Sequence, residues 1–526
     1  MGGVGGAAAV YVPLMLVNRA LALVRVVVVG NILGMVGKGE FSRYQLGLEL
    51  VNWIVPLIML GLADTAERYV AHYERMGEAR QFLRRHFGRL VVMGGGTLVV
   101  FVAASPWLGA GLFPGAVGSR LLGLPAGADA AALVIVAAVV IWTLAIFQYM
   151  LAALRGLRAY AAAAAMETAS ALLLLILSAL AAWRGGAVEL LLGYWISLAL
   201  PAAYYGVRLR GYLRGMEAAA GAEISGEAGN LKVEPRTDET PPRLRSFARW
   251  SQARLMLMMT FGFVGIYGVG WLARRQLEPN ADAHAADYTM AYRVAQTLAY
   301  AGAVLWASAY GVAAKAWSHG ARRRARMMFL AVGRIGGVGL LMAACCVLGL
   351  RDLLLALLPA YEVAIVQLLP ALLGIFLWYA MLGFLVAYGD LQERPWVGAV
   401  LWAVAAGVQA GVIFGPAWCG VKLGGMDAPW TVVVASGLGL GMATMVCAPA
   451  FLWRPVRLTS VAAPIGILLV SMGAFFWPGQ LVEAVASGAI VIGVGSMWLG
   501  GLLIRRREMR AMEKWYARRE RLRRTP

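Results

Sequence analysis

Charge is scarce in this sequence. Asp, Glu, Lys and Arg make up 14% of the 526 residues, against 61% hydrophobic residues and a mean hydropathy of +0.71. That balance excludes an ordinary soluble domain, in which charged residues reach roughly 25%. Cysteine and histidine are scarcer, four of each. Cys345, Cys346, Cys419 and Cys447 show no C-x-x-C or other metal spacing, so packing residues are expected rather than a disulfide framework or a metal centre. His72, His86, His284 and His319 have no ligand or nucleophile partner at motif spacing. The start, Met1-Gly2-Gly3-Val4, lacks the basic n-region of a cleaved signal, so the first apolar run is expected to stay as a helix. No acid, base and nucleophile cluster stands out, and no connection on the outer side is long enough for a catalytic domain, so an enzyme is not expected.

What the sequence has is long apolar runs. A membrane-crossing helix takes about 20 such residues, and about fourteen segments qualify, from 8–33 at the start to 481–504 near the end. The expected fold is an all-α integral membrane protein with two pseudo-symmetric six-helix halves around a central cavity and two further helices. The halves cover 1–209 and 246–452, and the added helices 453–504. Residues 210–245 are polar and carry Glu234-Pro235 and Pro241-Pro242, which predicts a flexible linker.

The net charge of +20 raises nucleic-acid binding, but its distribution answers that. Most Lys and Arg fall in the even-numbered connections and in the basic tail 505–526. An excess on one side obeys the positive-inside rule and predicts both termini in the cytoplasm. Headgroup attraction accounts for the tail, so membrane lipids are expected partners and nucleic acid is not.

Against that apolar background the charges inside spans stand out. An arginine there costs at least ~2.5 to 3.5 kcal/mol on insertion scales, and the first helix carries two, Arg19 and Arg25. They stand about 120° apart around the axis, so one can line a cavity while the other meets a neighbouring helix; the alternative is that both snorkel to the interfaces. The second helix begins near Glu40, carries Glu49 two turns in, and ends at Asp64 and Arg68, four residues apart and able to form a structural salt bridge. Glu167 lies inside the fifth span, as a protonatable coupling site or a hydrogen-bonded acid. Arg293 lies two turns into the eighth. An internal echo between the halves sets Glu49 opposite Arg293.

These residues resemble the multidrug/oligosaccharidyl-lipid/polysaccharide exporter superfamily. Asn18-Arg19, Arg25 and Ile32-Leu33-Gly34 are similar to the first helix of lipid II flippases. Glu40-Phe41 and Tyr292-Arg293 fall where that family has an acidic residue before an aromatic and a cavity arginine, and Gly61-Leu62 with Arg68-Tyr69 resembles polysaccharide exporters. The resemblance implies a flippase that carries a polyprenyl-diphosphate-linked glycan across a bacterial cytoplasmic membrane by alternating access. Arg19, Arg25 and Arg293 would bind the headgroup, and Glu40, Glu49, Glu167, Asp64 and Arg68 would serve gating or coupling. No cofactor or metal is implied beyond a Na+ or H+ gradient or the membrane potential; envelope-glycan biosynthesis proteins are possible partners. The basic residue that lipid II flippases carry midway along the second helix has no counterpart around Asn52-Trp53-Ile54, which favours another lipid-linked glycan. The competing readings are a multidrug/cation antiporter, whose chemistry wants acids rather than arginines, and a membrane-embedded glycan polymerase or acyltransferase.

Overall fold

A computed structural model describes residues 4–75, 78–113, 128–157, 159–226, 244–276, 280–318, 322–392, 394–418 and 427–447. The added helices 453–504 and the tail 505–526 lie outside the described residues. Within the described residues the chain is helical, with no strand. Seven helices are long and apolar enough to cross a membrane, eight if a bent pair counts as one span. The chain is a multi-pass membrane protein. It forms two compact units, Met1–Met290 and Ala291–Pro526.

The first unit holds α1 (Val4–Val36), α2 (Lys38–Met59), α3 (Leu62–Arg75), α4 (Ala79–Leu112), α5 (Ala128–Gly156), α6 (Tyr160–Arg184), α7 (Ala187–Gly226), α8 (Leu244–Arg275) and the start of α9 (Ala281–Ser318). Here α4 packs on α5, α1 on α6, α7 on both α5 and α6, and α2 on α5 and α8. The second expected span is broken where sequence reading ran it through 44–70. Leu60 and Gly61 take left-handed φ of 45° and 73°, α2 stops at Met59, and the charged α3 restarts as a separate helix. A left-handed pair cannot continue a right-handed helix, and glycine is the residue that enters that region at no steric cost. α7 also runs to Gly226, into the stretch read as linker, because Met216-Glu217-Ala218-Ala219-Ala220 are good helix formers. The rest of that stretch, 227–243, is outside the described residues.

Contact with lipid is written on the exposed side chains. α4 buries few of its residues, and Val92, Val99, Val100 and Val102 on it are exposed. Trp107 and Trp183, each 77% exposed, stand near the C-terminal ends of α4 and α6, the interfacial position that tryptophan favours. On the protein-facing side, small residues let helices approach closely. A Cβ on Gly109 of α4 would lie 2.7 Å from the backbone carbon of Ala130 on α5. Backbone cannot step aside as a side chain can, so Gly109→Ala is expected to cost about 1–3 kcal/mol, read as a lowered unfolding temperature in detergent.

The second unit contains the rest of α9, α10 (Arg322–Gly349), α11 (Arg351–Leu357), α12 (Leu369–Leu391), α13 (Pro395–Trp418) and α14 (Ala428–Gly441). Its core includes an aromatic stack of Trp306, Phe384, Phe329 and Tyr388, anchored by the Trp306 indole N–H donating to the Ala380 carbonyl at 2.8 Å. α11 bends 56° from the end of α10 and exposes Leu353 and Leu357.

α1, α2, α9 and α14 fall short of a full apolar span among the described residues, although the sequence assigns each a crossing. α2 and α9 carry Lys38, Glu40, Arg43, Glu49, Asp282, Asp287 and Arg293, which lower their hydropathy. α1 and α14 contribute the shorter apolar stretches Ala20–Gly34 and Ala428–Thr444.

Candidate functional site

The charges of the first unit gather at two ends. At one, the starts of α2, α7 and α9 meet the end of α8. Lys38 donates to Asp287 Oδ1 at 2.9 Å, and Arg43 pairs with Glu40 within α2 and with Asp282 of α9 at 3.1 Å. Arg274, in the last turn of α8, reaches the other Asp282 oxygen at 3.5 Å. Glu40 has a second seat, since the Ala187 N–H donates to its Oε2 at 3.0 Å, and the Gly186 N–H donates to Glu189 at 2.8 Å. Two acids therefore close the N-terminus of α7, where the free amides and the helix dipole favour negative charge.

Gly186 makes this possible. A Cβ there would stand 2.6 Å from Glu40 Oε2. Beneath the ion pairs is a cavity of about 20 Å³, room for one water-sized guest, lined on its polar side by Ser42, Arg43, Tyr267, Arg274 and Asp282.

Further along α2, Glu49 is 3% exposed. One turn on, the Trp53 indole donates to Thr260 of α8 at 2.9 Å and stacks on Phe263 at 4.8 Å, and Phe263 stacks in turn on Tyr267. The mid-helix position where lipid II flippases were noted to carry a base is thus part of an aromatic seam between α2 and α8.

Arg25 is half-buried on α1, about 18 Å along the helix from Gly37 at 1.5 Å per residue. Among the described residues no acid pairs with it. Arg293 is half-buried on α9. Its Nη1 donates to Gln296 Oε1 at 2.8 Å and its guanidinium sits 5.8 Å from the Tyr292 ring centroid, so the fork is oriented by its own helix. Arg254 of α8 is half-buried and reaches Ser251 at 3.5 Å. The side chains of Arg19, Asp64, Arg68 and Arg334 are outside the described residues.

At the opposite end of the first unit, Arg155 in the last turn of α5 bonds Glu167 of α6 and stands 3.9 Å from Glu67 of α3. The structure gives Glu167 a cationic partner across the α5–α6 turn. Among the described residues no group of three His, Cys, Asp or Glu side chains can hold a metal ion.

Sequence reading brought Glu40 into this account but missed Lys38, Arg43, Arg274, Asp282, Asp287 and Glu189. The usable signal was the position of these charges at the ends of consecutive apolar runs on one side of the membrane.

No family model matches the chain, and no curated protein matches it. Solved structures do. An inward-facing multidrug resistance transporter of the MATE family, in the MOP superfamily, is 15% identical, with a TM-score of 0.57 over 85% of this chain and 96% of its own. A MOP superfamily transporter from Pyrococcus furiosus is 13% identical, with a TM-score of 0.58 over 87% and 96%. The lipid II flippase MurJ in an inward closed conformation is 12% identical, with a TM-score of 0.57 over 95% and 100%. The chain has the fold of MOP superfamily transporters.

Proposed function

We propose that this transporter moves a lipid-linked anionic glycan, of the polyprenyl-diphosphate class, across the bacterial cytoplasmic membrane by alternating access. The observation that carries the reading is Arg25. A guanidinium about two-thirds of the way along an apolar helix, with no acid beside it among the described residues, calls for an anion from elsewhere. A diphosphate supplies two, with paired oxygens that arginine's planar fork can meet bidentately. Arg293, oriented by Gln296 and Tyr292, is the second contact and Arg19 the third.

The charge distribution supports cytoplasmic termini, which puts the Glu40 end at the outer face. Residues 453–504 would shelter the lipid tail. The flippase matches 95% of the chain and the first MATE transporter 85%, which supports a role for sequence beyond the common body. Energy would come from a Na+ or H+ gradient or the membrane potential, and envelope-glycan enzymes would supply the cargo.

Multidrug/cation antiport is the second reading, favoured by one observation, the nearly fully buried acid Glu49. Purified protein in liposomes separates the two. A fluorescent polyprenyl-diphosphate saccharide should become shielded from an impermeant quencher at a rate that depends on the protein, while ethidium should not be moved. Ethidium transport without glycan movement would reverse the assignment.

A further inference from the structure

The ion pairs at the start of α2 do more than hold helices together. Asp282 is the shared node: one oxygen faces Arg43 of α2 and the other Arg274 of α8. Losing Asp282 would remove its ties to α2 and α8 and leave Lys38–Asp287 to hold α9 to α2. The arginines are costly to strand and the acids are not. Glu40 keeps the α7 N-terminus if Arg43 leaves it. Asp282 is 41% exposed and sits in the first turn of α9, where water and the helix dipole stabilise an unpaired carboxylate. Any oxyanion that offers Arg43 and Arg274 a better fork can displace Asp282 at low cost. The anion would approach from the exposed side of Asp282, and the adjoining cavity, with Ser42 and Tyr267 on its wall, has room only for an accompanying water.

We propose that Arg43 and Arg274 form an anion-exchange latch: a diphosphate headgroup takes the place of Asp282 and thereby loosens α9 from α2 and α8 at the exit side. This deepens the flippase reading and rests on it for the identity of the anion. The substrate's own charge then opens the door through which it leaves, and Lys38 with Asp287 remains as the tie that recloses it. Arg43 and Arg274 become a second headgroup site, distinct from Arg25 and Arg293.

The test uses the full chain in liposomes, cysteine-free except for Ala285→Cys. Ala285 is buried on the cavity wall. Inorganic pyrophosphate should speed its labelling by an impermeant maleimide roughly tenfold, the factor that 1.4 kcal/mol gives. Sodium chloride at equal ionic strength should change it less than about twofold, since a partly buried pair is weakly screened. Asp282→Asn should raise labelling without pyrophosphate. Arg274→Gln should abolish the pyrophosphate response, and Arg274→Lys, which keeps the charge, should retain only part of it.

Equal effects of chloride and pyrophosphate would overturn the latch, as would a pyrophosphate response that survives Arg274→Gln in folded protein. If Arg274→Gln fails to fold, the lysine variant decides: a full response there also overturns it. The flippase reading fails separately, by absence of glycan shielding in the liposome assay while the pyrophosphate response persists.

Discussion

Arg293→Ala is expected to abolish nearly all glycan transport while the protein folds and inserts normally. Arg293→Lys should keep part of it. Lysine preserves the charge but not the planar fork, and the fork is what Gln296 and Tyr292 orient. Measured as initial rates of saccharide shielding in liposomes, the ordering should be parent, lysine, alanine, with the unfolding temperature unchanged. The contrary result is informative too. If Arg293 served chiefly to neutralise a buried acid, its removal alone would cost on the order of 3–5 kcal/mol and lower expression. Glu49, 3% exposed, is the acid to test. Glu49→Gln combined with Arg293→Gln removes both charges, and a double variant that transports again would refute the headgroup role. A folded, inactive double variant supports it.

The second large effect falls on stability. Arg155→Ala should destabilise the first unit by about 3 kcal/mol, because it leaves the mostly buried Glu167 without its cation. Glu67, half exposed, loses little. Glu167→Gln on its own should be mild and should preserve the transport rate per molecule, since a hydrogen-bonding amide of the same shape remains. Adding Glu167→Gln to Arg155→Ala should recover most of the lost stability. A double-mutant cycle in detergent reads this coupling directly. Loss of transport in stable Glu167→Gln protein would instead make Glu167 a coupling acid.

Among the described residues most helix positions were legible because apolar runs of membrane length declare themselves. What could not be read were places where one residue decides. Nothing in the composition of 44–70 marks Leu60 as left-handed, since leucine is a good helix former, and only Gly61 hints at the break. The ion pairs show a related limit. Arg155 and Glu167 flank one short turn, a spacing readable in sequence, whereas Glu40 meets the α7 amide 147 residues away. Asp282 and Arg43 are 239 apart. Such contacts depend on which helices are neighbours, and apolar periodicity in a membrane does not rank neighbours, because lipid and protein are similarly apolar. Arg25 and Arg293 were singled out for the opposite reason: a charge inside a span is conspicuous in one dimension.

The polarity of α2 has a consequence for how the protein is made. Gln45 and Glu49 point into the protein, and the seam through Trp53 closes only on α8. An acid at the centre of a lone helix costs the translocon about 2.5 to 3.5 kcal/mol, so α2 leaves the ribosome as a poor candidate for partitioning into lipid alone. Its partners are synthesised later, α5 about 90 residues on and α8 about 200, roughly 5–18 s and 10–40 s at about 5–20 residues per second. For that interval α2 needs shelter at the insertion machinery. Biogenesis of this chain is therefore expected to proceed by retention and late assembly of α2 rather than by one helix after another entering the bilayer.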